Sequence, residues 1–397
     1  MKHFYLLLLF VFGTTIYAQD FSKEWQKVYE LEKAGSYKTA YKEVQDIYEK
    51  ANRKKNSQQK AKAVVYNLKF KNELEEISTQ NILNDLAKEI NSNKGIYKEI
   101  YRWYYIKTVY NEMMSSGAYY YSKNSKNTTE ILPDNIEKWS GEHYKQVLTE
   151  QADLLFKNEN LLKETKVSEI KDLIDYDFIE NNLEQTVFEL FAHNFIQNYI
   201  VSTYVKPLEI VRLQDFSNDF KKSKIIIEPN EYSVDFYNQK IIELFQQLER
   251  FYTDNNDDLN LDKIKFYRYS LYSQDQDLKI IDDLGKNLKT EFYKNRYKIE
   301  RAKFLINNVN KKENKDYYEK ALQLTAEIKT QRSQNDVLES AVTLENMLND
   351  QVFDVSLLTE VYESEPVKYL VNYKNIQKLH FAYYDIKNYP TTVNDSI

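Results

Sequence analysis

The stretch Asp254-Asn255-Asn256-Asp257-Asp258-Leu259-Asn260-Leu261-Asp262 concentrates side-chain oxygens at a spacing that could hold calcium. Counted from Asp254, alternate positions supply Asp254, Asn256, Asp258, Asn260 and Asp262. A calcium loop also needs Gly at its sixth position for the sharp turn and a bidentate Glu at its twelfth. This chain has Leu259 and Lys265 at those places. A bulky residue at the turn, and a cation where an anion must close the shell, favour a solvated loop between helices.

The other reactive side chains are few and scattered. His3, His143, His193 and His380 have no second His at ligand spacing. His193 follows the apolar Leu190 and Phe191, which reads as a core histidine rather than a base. The chain has no Cys, which removes disulfides, thiolate metal sites, nucleophilic thiols and thioesters together. No G-x-S-x-G, P-loop or H-E-x-x-H pattern occurs. The acidic pairs Glu75-Glu76 and Asp282-Asp283 sit in Lys-rich helical text and read as solvated faces. No residue is therefore assigned a catalytic, cofactor-binding or metal role, and the expectation is a protein that is not an enzyme and carries no cofactor.

Composition sets further limits. A net charge of −6 argues against a nucleic-acid partner, which selects a basic patch or stripe. Six Gly and five Pro in 397 residues leave few breakers and favour long helices with tight turns. The 35 Tyr suggest either stacking platforms for sugars or Tyr substituting for other core residues. Their scatter favours the core reading. At the start, Met1-Lys2-His3 is a basic head, Phe4 to Phe12 an apolar run, and Gly13 to Ala18 a small-residue region. That is the plan of a secretory signal peptide, residues 1–18, with Gln19 the first mature residue. Ile16 departs from the small residue favoured near the cut. The apolar run is too short to span a membrane. With no Cys after it, the expectation is an exported periplasmic or extracellular protein, not a lipoprotein, with no membrane span.

The elements that would position any site are helices. Trp25, Val28, Tyr29 and Leu31 make one face, and Gly35 closes that helix. Ala40, Val44, Ile47, Tyr48 and Ala51 make the next. Gly35-x-Tyr37-x-x-Ala40 is the turn-plus-small-residue grammar of tetratricopeptide-like helix pairs, and Asp316-x-Tyr318-x-x-Ala321 repeats it with Gly replaced. Further stripes run through Ile82, Leu83, Leu86 and Ile90, then Leu183, Val187, Leu190, Phe191 and Phe195. Others are Ile241, Leu244, Phe245, Leu248, Phe251 and Tyr252, then Ile299, Ala302, Leu305, Ile306 and Val309. Breaks fall at Ser122 to Asn135, Pro207, Glu228-Pro229-Asn230 and Thr253 to Asp258, with Ile225-Ile226-Ile227 a short strand or linker.

After Pro366 the period changes to two. Tyr369, Val371 and Tyr373 alternate with polar residues, Lys374 to Lys378 links, and Leu379, Phe381 and Tyr383 alternate again. The predicted fold is mainly α: tetratricopeptide-like stacked helical hairpins over 19–365, then a short β-hairpin over 366–397. Two strands alone are marginal, so the hairpin is expected to belong to an incomplete β-sandwich domain or to dock against the helices from Tyr318 to Leu348.

Several stretches together resemble the amino-terminal helical region of bacterial alpha-2-macroglobulin-like proteins, in the form common among Bacteroidetes. They are Phe21-x-Lys23-x-Trp25-x-x-Val28-x-x-Leu31-Glu32-x-x-Gly35, Ala40-x-x-x-Val44-x-x-Ile47-Tyr48-x-x-Ala51, Pro133-Asp134-x-Ile136-Glu137-x-Trp139, and Phe188-x-Leu190-Phe191-Ala192-His193. The segment Val371-x-Tyr373-x-Asn375-x-x-x-Leu379-x-Phe381 looks like the first strands of a macroglobulin domain. The resemblance implies the front part of a protease-inhibitor protein, without the bait and Cys-x-x-Gln thioester regions. Its implied partners are proteins, either the remaining macroglobulin domains or proteases. The alternative is a periplasmic or surface glycan-binding tetratricopeptide-like protein.

Overall fold

The computed structural model describes residues 21–74, 78–117, 132–174, 185–200, 216, 220, 235–270, 278–308, 316–330, 335–357 and 367–382. Several expectations lie outside them: the signal peptide 1–18, Glu75-Glu76, Leu183, Val309, Tyr383, and the breaks at Pro207 and Pro229 with Ile225 to Ile227. Helices make up 78% of the described residues, as 15 α-helices in stacked hairpin-like contacts, with a two-stranded antiparallel hairpin near the C-terminus. The chain divides into two units. One comprises Met1–Ile210 and Lys221–Phe251, the other Val211–Phe220 and Tyr252–Ile397.

The first unit opens with α1 (Ser22–Lys33), α2 (Tyr37–Arg53) and α3 (Ser57–Leu74), followed by α4 (Thr79–Ser92) and α5 (Gly95–Ser115). The α1–α2 turn is a Schellman closure: Gly35 N–H bonds Glu32 O at 2.9 Å and Ser36 N–H bonds Leu31 O at 2.9 Å. A Cβ at Gly35 would meet nothing, so its φ of +69° rather than crowding selects glycine. The α2–α3 turn repeats the closure without glycine. Lys55 takes φ +54°, with Lys55 N–H on Asn52 O and Asn56 N–H on Ala51 O. Asn56 Oδ1 then accepts the Gln59 N–H and starts α3. Phe21, Trp25, Val28, Ala40, Val44, Ile47, Ala51, Ala63 and Phe70 form one core, each side chain of Val size or larger contributing roughly 1.5–3 kcal/mol. Fully buried Ala40 lets the helices approach closely, as the sequence grammar anticipates.

Further along run α6 (Gly141–Phe156), α7 (Glu159–Glu164), α8 (Val167–Ile170), α9 (Val187–Ile200) and α10 (Asp235–Asp254), with short 3₁₀ turns at Ile136–Lys138 and Lys171–Leu173. Trp103 of α5 stacks on Phe191 of α9, centroids 4.7 Å apart at 12°. Buried Glu99 and Arg102 pair at 3.1 Å, Asn158 donates to Glu99 Oε1 and Arg102 Nη1 donates to Gln151, bonds that offset part of the pair's desolvation.

The second unit holds α11 (Asp258–Ser270), α12 (Leu278–Lys286), α13 (Glu291–Asn307), α14 (Tyr317–Thr330) and α15 (Asn335–Asn349). Ile299, Ala302, Leu305, Ala321, Ile328, Val337, Ala341, Leu344 and Leu348 share a core, with Ala321 again fully buried. Arg268 is fully buried with its guanidinium 3.8 Å from the Phe220 centroid and 4.5 Å from that of Phe216.

The hairpin pairs β1 (Val352–Leu357) with β2 (Tyr369–Lys374). This corrects the expected pairing of β2 with Leu379 to Tyr383, since residues 378–382 are in no strand. It also corrects the helical reading of 352–357, where Phe353, Val355 and Leu357 alternate after α15 ends at Asn349. A run of six residues at period two is strand, and too short to be a helix that buries a face. Among the described residues the hairpin meets the end of α15: Asn375 Nδ2 donates to Leu348 O at 2.7 Å and Asp350 O at 3.0 Å, and Lys374 Nζ donates to Met347 O. These bonds take up orphan carbonyls at the end of α15. The rows Phe353–Tyr373, Val355–Val371 and Leu357–Tyr369 share one face, and Phe353 and Tyr373 are more than half exposed.

Candidate interaction groove

The calcium-like stretch is a helix connection. Asn256, at φ +54°, closes α10 with Asn256 N–H on Thr253 O and Asp257 N–H on Tyr252 O, the same Schellman pattern as at Gly35 and Lys55. Asp257 Oδ1 accepts the Asn260 N–H at the start of α11. Asp258 pairs with Lys289. Fully buried Asp262 accepts Lys289 N–H, Thr290 N–H and the Thr290 hydroxyl at 2.7 to 2.9 Å through Oδ2, and so holds the start of α13. Its oxygens serve backbone rather than a cation. Among the described residues no group of three or more His, Asp or Glu could hold a metal ion.

The flagged histidines stay apart. His143 Nδ1 accepts the Ser140 N–H at 3.1 Å while Ser140 Oγ accepts the His143 N–H, a capping box that starts α6. The Ser140–His143 contact is thus a helix cap. His193 is half-buried in α9 and His380 is exposed. Asp282 differs from the solvated reading: it accepts Tyr297 Oη–H at 3.1 Å and Arg301 Nε–H at 2.7 Å, and Asp283 accepts the Phe216 N–H.

What the structure brings together, and the sequence did not announce, is a groove in the first unit. A hollow of about 570 Å³ is lined by Tyr29 of α1, by Lys62, Tyr66, Lys69 and Asn72 of α3, and by Tyr104, Lys107 and Asn111 of α5. Lys171, Asp172 and Ile174 close one side. A second hollow of about 140 Å³ shares Tyr104, Lys107, Asn111 and Ile174 and adds Asn194 and Asn198 of α9. The first hollow is thus lined mainly by α1, α3 and α5, and the second, beside it, by α5 and α9. Lys62 is set by ring faces, its Nζ 4.8 Å from the Trp25 centroid and 5.6 Å from that of Tyr29, and it lies 3.7 Å from Asp172. Lys69 pairs with Glu32 at 2.6 Å. Tyr104 donates to Leu173 O at 2.9 Å. Tyr66 packs 5.0 Å from Trp25 and 6.0 Å from Tyr29, and burial, then Tyr29, pushes its phenol above the ordinary value. Lys62, Lys69, Lys107 and Lys171 against Glu73, Asp172 and the Glu32 that pairs with Lys69 leave a formal excess of one positive charge.

The other side of α3 is different. A hollow of about 450 Å³ between α2, α3 and α4 is lined by Asp46, Glu49, Asp85 and Glu89 against Lys71 and Lys88, a formal excess of two negative charges. Glu89, 5% exposed, accepts Tyr48 Oη–H at 2.5 Å and Asn93 Nδ2–H at 2.8 Å and pairs with Lys60 at 2.7 Å. Burial, reinforced by the bond to Glu89, raises the Tyr48 phenol. Lys71 holds Asp85 at 2.6 Å.

The scattered Tyr signal splits accordingly. Tyr101, Tyr144 and Tyr252 are core, while Tyr29, Tyr66 and Tyr104 reach the groove. No helix among the described residues is long and apolar enough to cross a membrane. No family model, curated protein or solved structure matches the chain.

Proposed function

We propose that this chain is a non-catalytic, exported protein-interaction scaffold whose groove along α1, α3 and α5 takes an extended polypeptide segment. The groove carries the reading. It is a cleft shared by successive helices, with amides of Asn72 and Asn111 able to pair with a main chain and lysines at its walls. Tyr29 and Tyr66 pack on each other, Tyr66 packs on Trp25, and Lys62 lies over Tyr29, which takes up part of the aromatic face a sugar would need. That favours the protein-binding reading over the glycan-binding alternative. Export rests on the leader pattern of residues 1–18. The place of the chain as the front part of an alpha-2-macroglobulin-like inhibitor rests on the ordered motifs from Phe21 to His193, with further macroglobulin domains or proteases as the partners implied.

Hydrogen exchange on the full chain, with and without a pool of twelve-residue peptides, tests the binding reading. Added protection is expected over 62–73 and 104–111. Protection confined to the hairpin, or produced by oligosaccharides and not by peptides, overturns it. Intact mass of exported material starting at Gln19 supports the leader, and a retained Met1 refutes it.

A further inference from the structure

We propose that the segment taken by this groove is acidic, a reading that rests on the groove being a peptide site. The cleft carries one excess positive charge, with Glu32 counted against its partner Lys69, in a chain whose net charge is −6, so its sign opposes that of the molecule. The charge is also organised. The Lys62 side chain, only 12% exposed, is held over Trp25 and Tyr29, so it presents its ammonium with little rotamer entropy left to lose. Its neighbouring carboxylate, Asp172, stands 3.7 Å away, beyond hydrogen-bond length, on a side chain that is 55% exposed. A partner carboxylate can approach Lys62 more closely than Asp172 does, and Asp172 can turn to water at small cost. Lys171, exposed on the 3₁₀ turn, adds charge at the mouth.

Two features select a polypeptide over other anions. Glu32, Glu73 and Asp172 at the cleft repel a continuous phosphate backbone, which requires an uninterrupted basic track. The amides of Asn72 and Asn111 supply neutral donors and acceptors along the cleft, suited to peptide groups between acidic side chains, while Asn198 donates to Asn194 at 2.8 Å. The hollow on the opposite face of α3 has the reverse sign and serves as an internal control.

The experiment uses the full chain and twelve-residue peptides of matched length, acidic, neutral and basic, read by fluorescence anisotropy at low and moderate salt. Acidic peptides are expected to bind best and to weaken with salt. Lys62→Met, which keeps the stem over the rings, is expected to weaken acidic-peptide binding about tenfold, and Lys171→Glu about threefold. Lys88→Glu, in the opposite hollow, should leave binding unchanged. Equal binding of neutral or basic peptides, or unchanged affinity in both groove variants, overturns the acidic assignment while leaving the groove as a peptide site. Binding of no peptide of any charge overturns the peptide reading itself and this inference with it.

Discussion

The two faces of α3 differ in how their charges are used. In the acidic hollow, Glu89 is shared by Tyr48, Lys60 and Asn93, and Asp85 by Lys71, so three helices are tied by groups that satisfy one another. In the groove, Lys62 leans on rings and stands away from Asp172, and the lysines outnumber the carboxylates. A buried carboxylate with three partners is a joint. A cation held over rings, with its paired carboxylate at 3.7 Å and half exposed, is the arrangement on which the proposed peptide site rests. The same helix supplies both because its positions facing α2 and α4 and those facing α1 and α5 meet different neighbours.

Alkali is the bluntest way to break both faces at once. Burial raises the phenols of Tyr101, Tyr105 and Tyr110, and of Tyr48 and Tyr66 on either side of α3, above the ordinary 10.0. In the second unit burial pushes Tyr267 to about 12. A value raised in the folded state supports the fold fully below the unfolded value and is lost as pH climbs through the folded one. Each such phenol then contributes to the loss, less where solvent screens it. The loss therefore begins near the unfolded value of about 10 and runs upward through the folded values, about 12 for Tyr267. The melting temperature is expected to fall steeply in that window, and a flat profile contradicts the burial of these rings.

Single substitutions separate the faces. Glu89→Ala leaves Lys60, 14% exposed, without its carboxylate, and is expected to lower stability by about 3 kcal/mol. A urea midpoint shifted by less than about 0.5 kcal/mol would make the joint decorative. Tyr48→Phe removes one bond to Glu89 and should cost about 1 kcal/mol, with a shallower alkaline fall than the parent. Lys171→Ala, on the groove side, should move stability by no more than about 0.5 kcal/mol. A larger loss would mean that the groove lysines are structural too, and the contrast between the faces would fail.

Much of the helical stack was legible because it obeys local rules. Gly35 and the spacing to Ala40 mark a turn and a close crossing, and both are found there. The turns at Lys55 and Asn256 use the same closure and escaped notice, since a non-glycine in the left-handed region carries a weaker sequence signal. Asp262 departs from the solvated-loop reading, because a buried carboxylate that accepts from the distant start of α13 looks, in one dimension, like part of its own exposed loop. The strand Val352–Leu357 was missed because the boundary was placed at Pro366, after the first strand had already passed.

Periodicity, the scarcity of Gly and Pro, and the absence of Cys determined by themselves a mainly helical chain of stacked hairpins with a β-hairpin near its end, because amphipathic spacing and turn chemistry act within a few residues. Only the tertiary structure decided that Tyr29, Lys62, Tyr104 and Lys171 share a cleft while Tyr48, Lys60 and Glu89 form a joint. Those residues come from different helices, and which side chains meet depends on the rotation and register of each helix against its neighbours. Hydrophobic spacing specifies the buried stripe of a helix but not what its flanks will face.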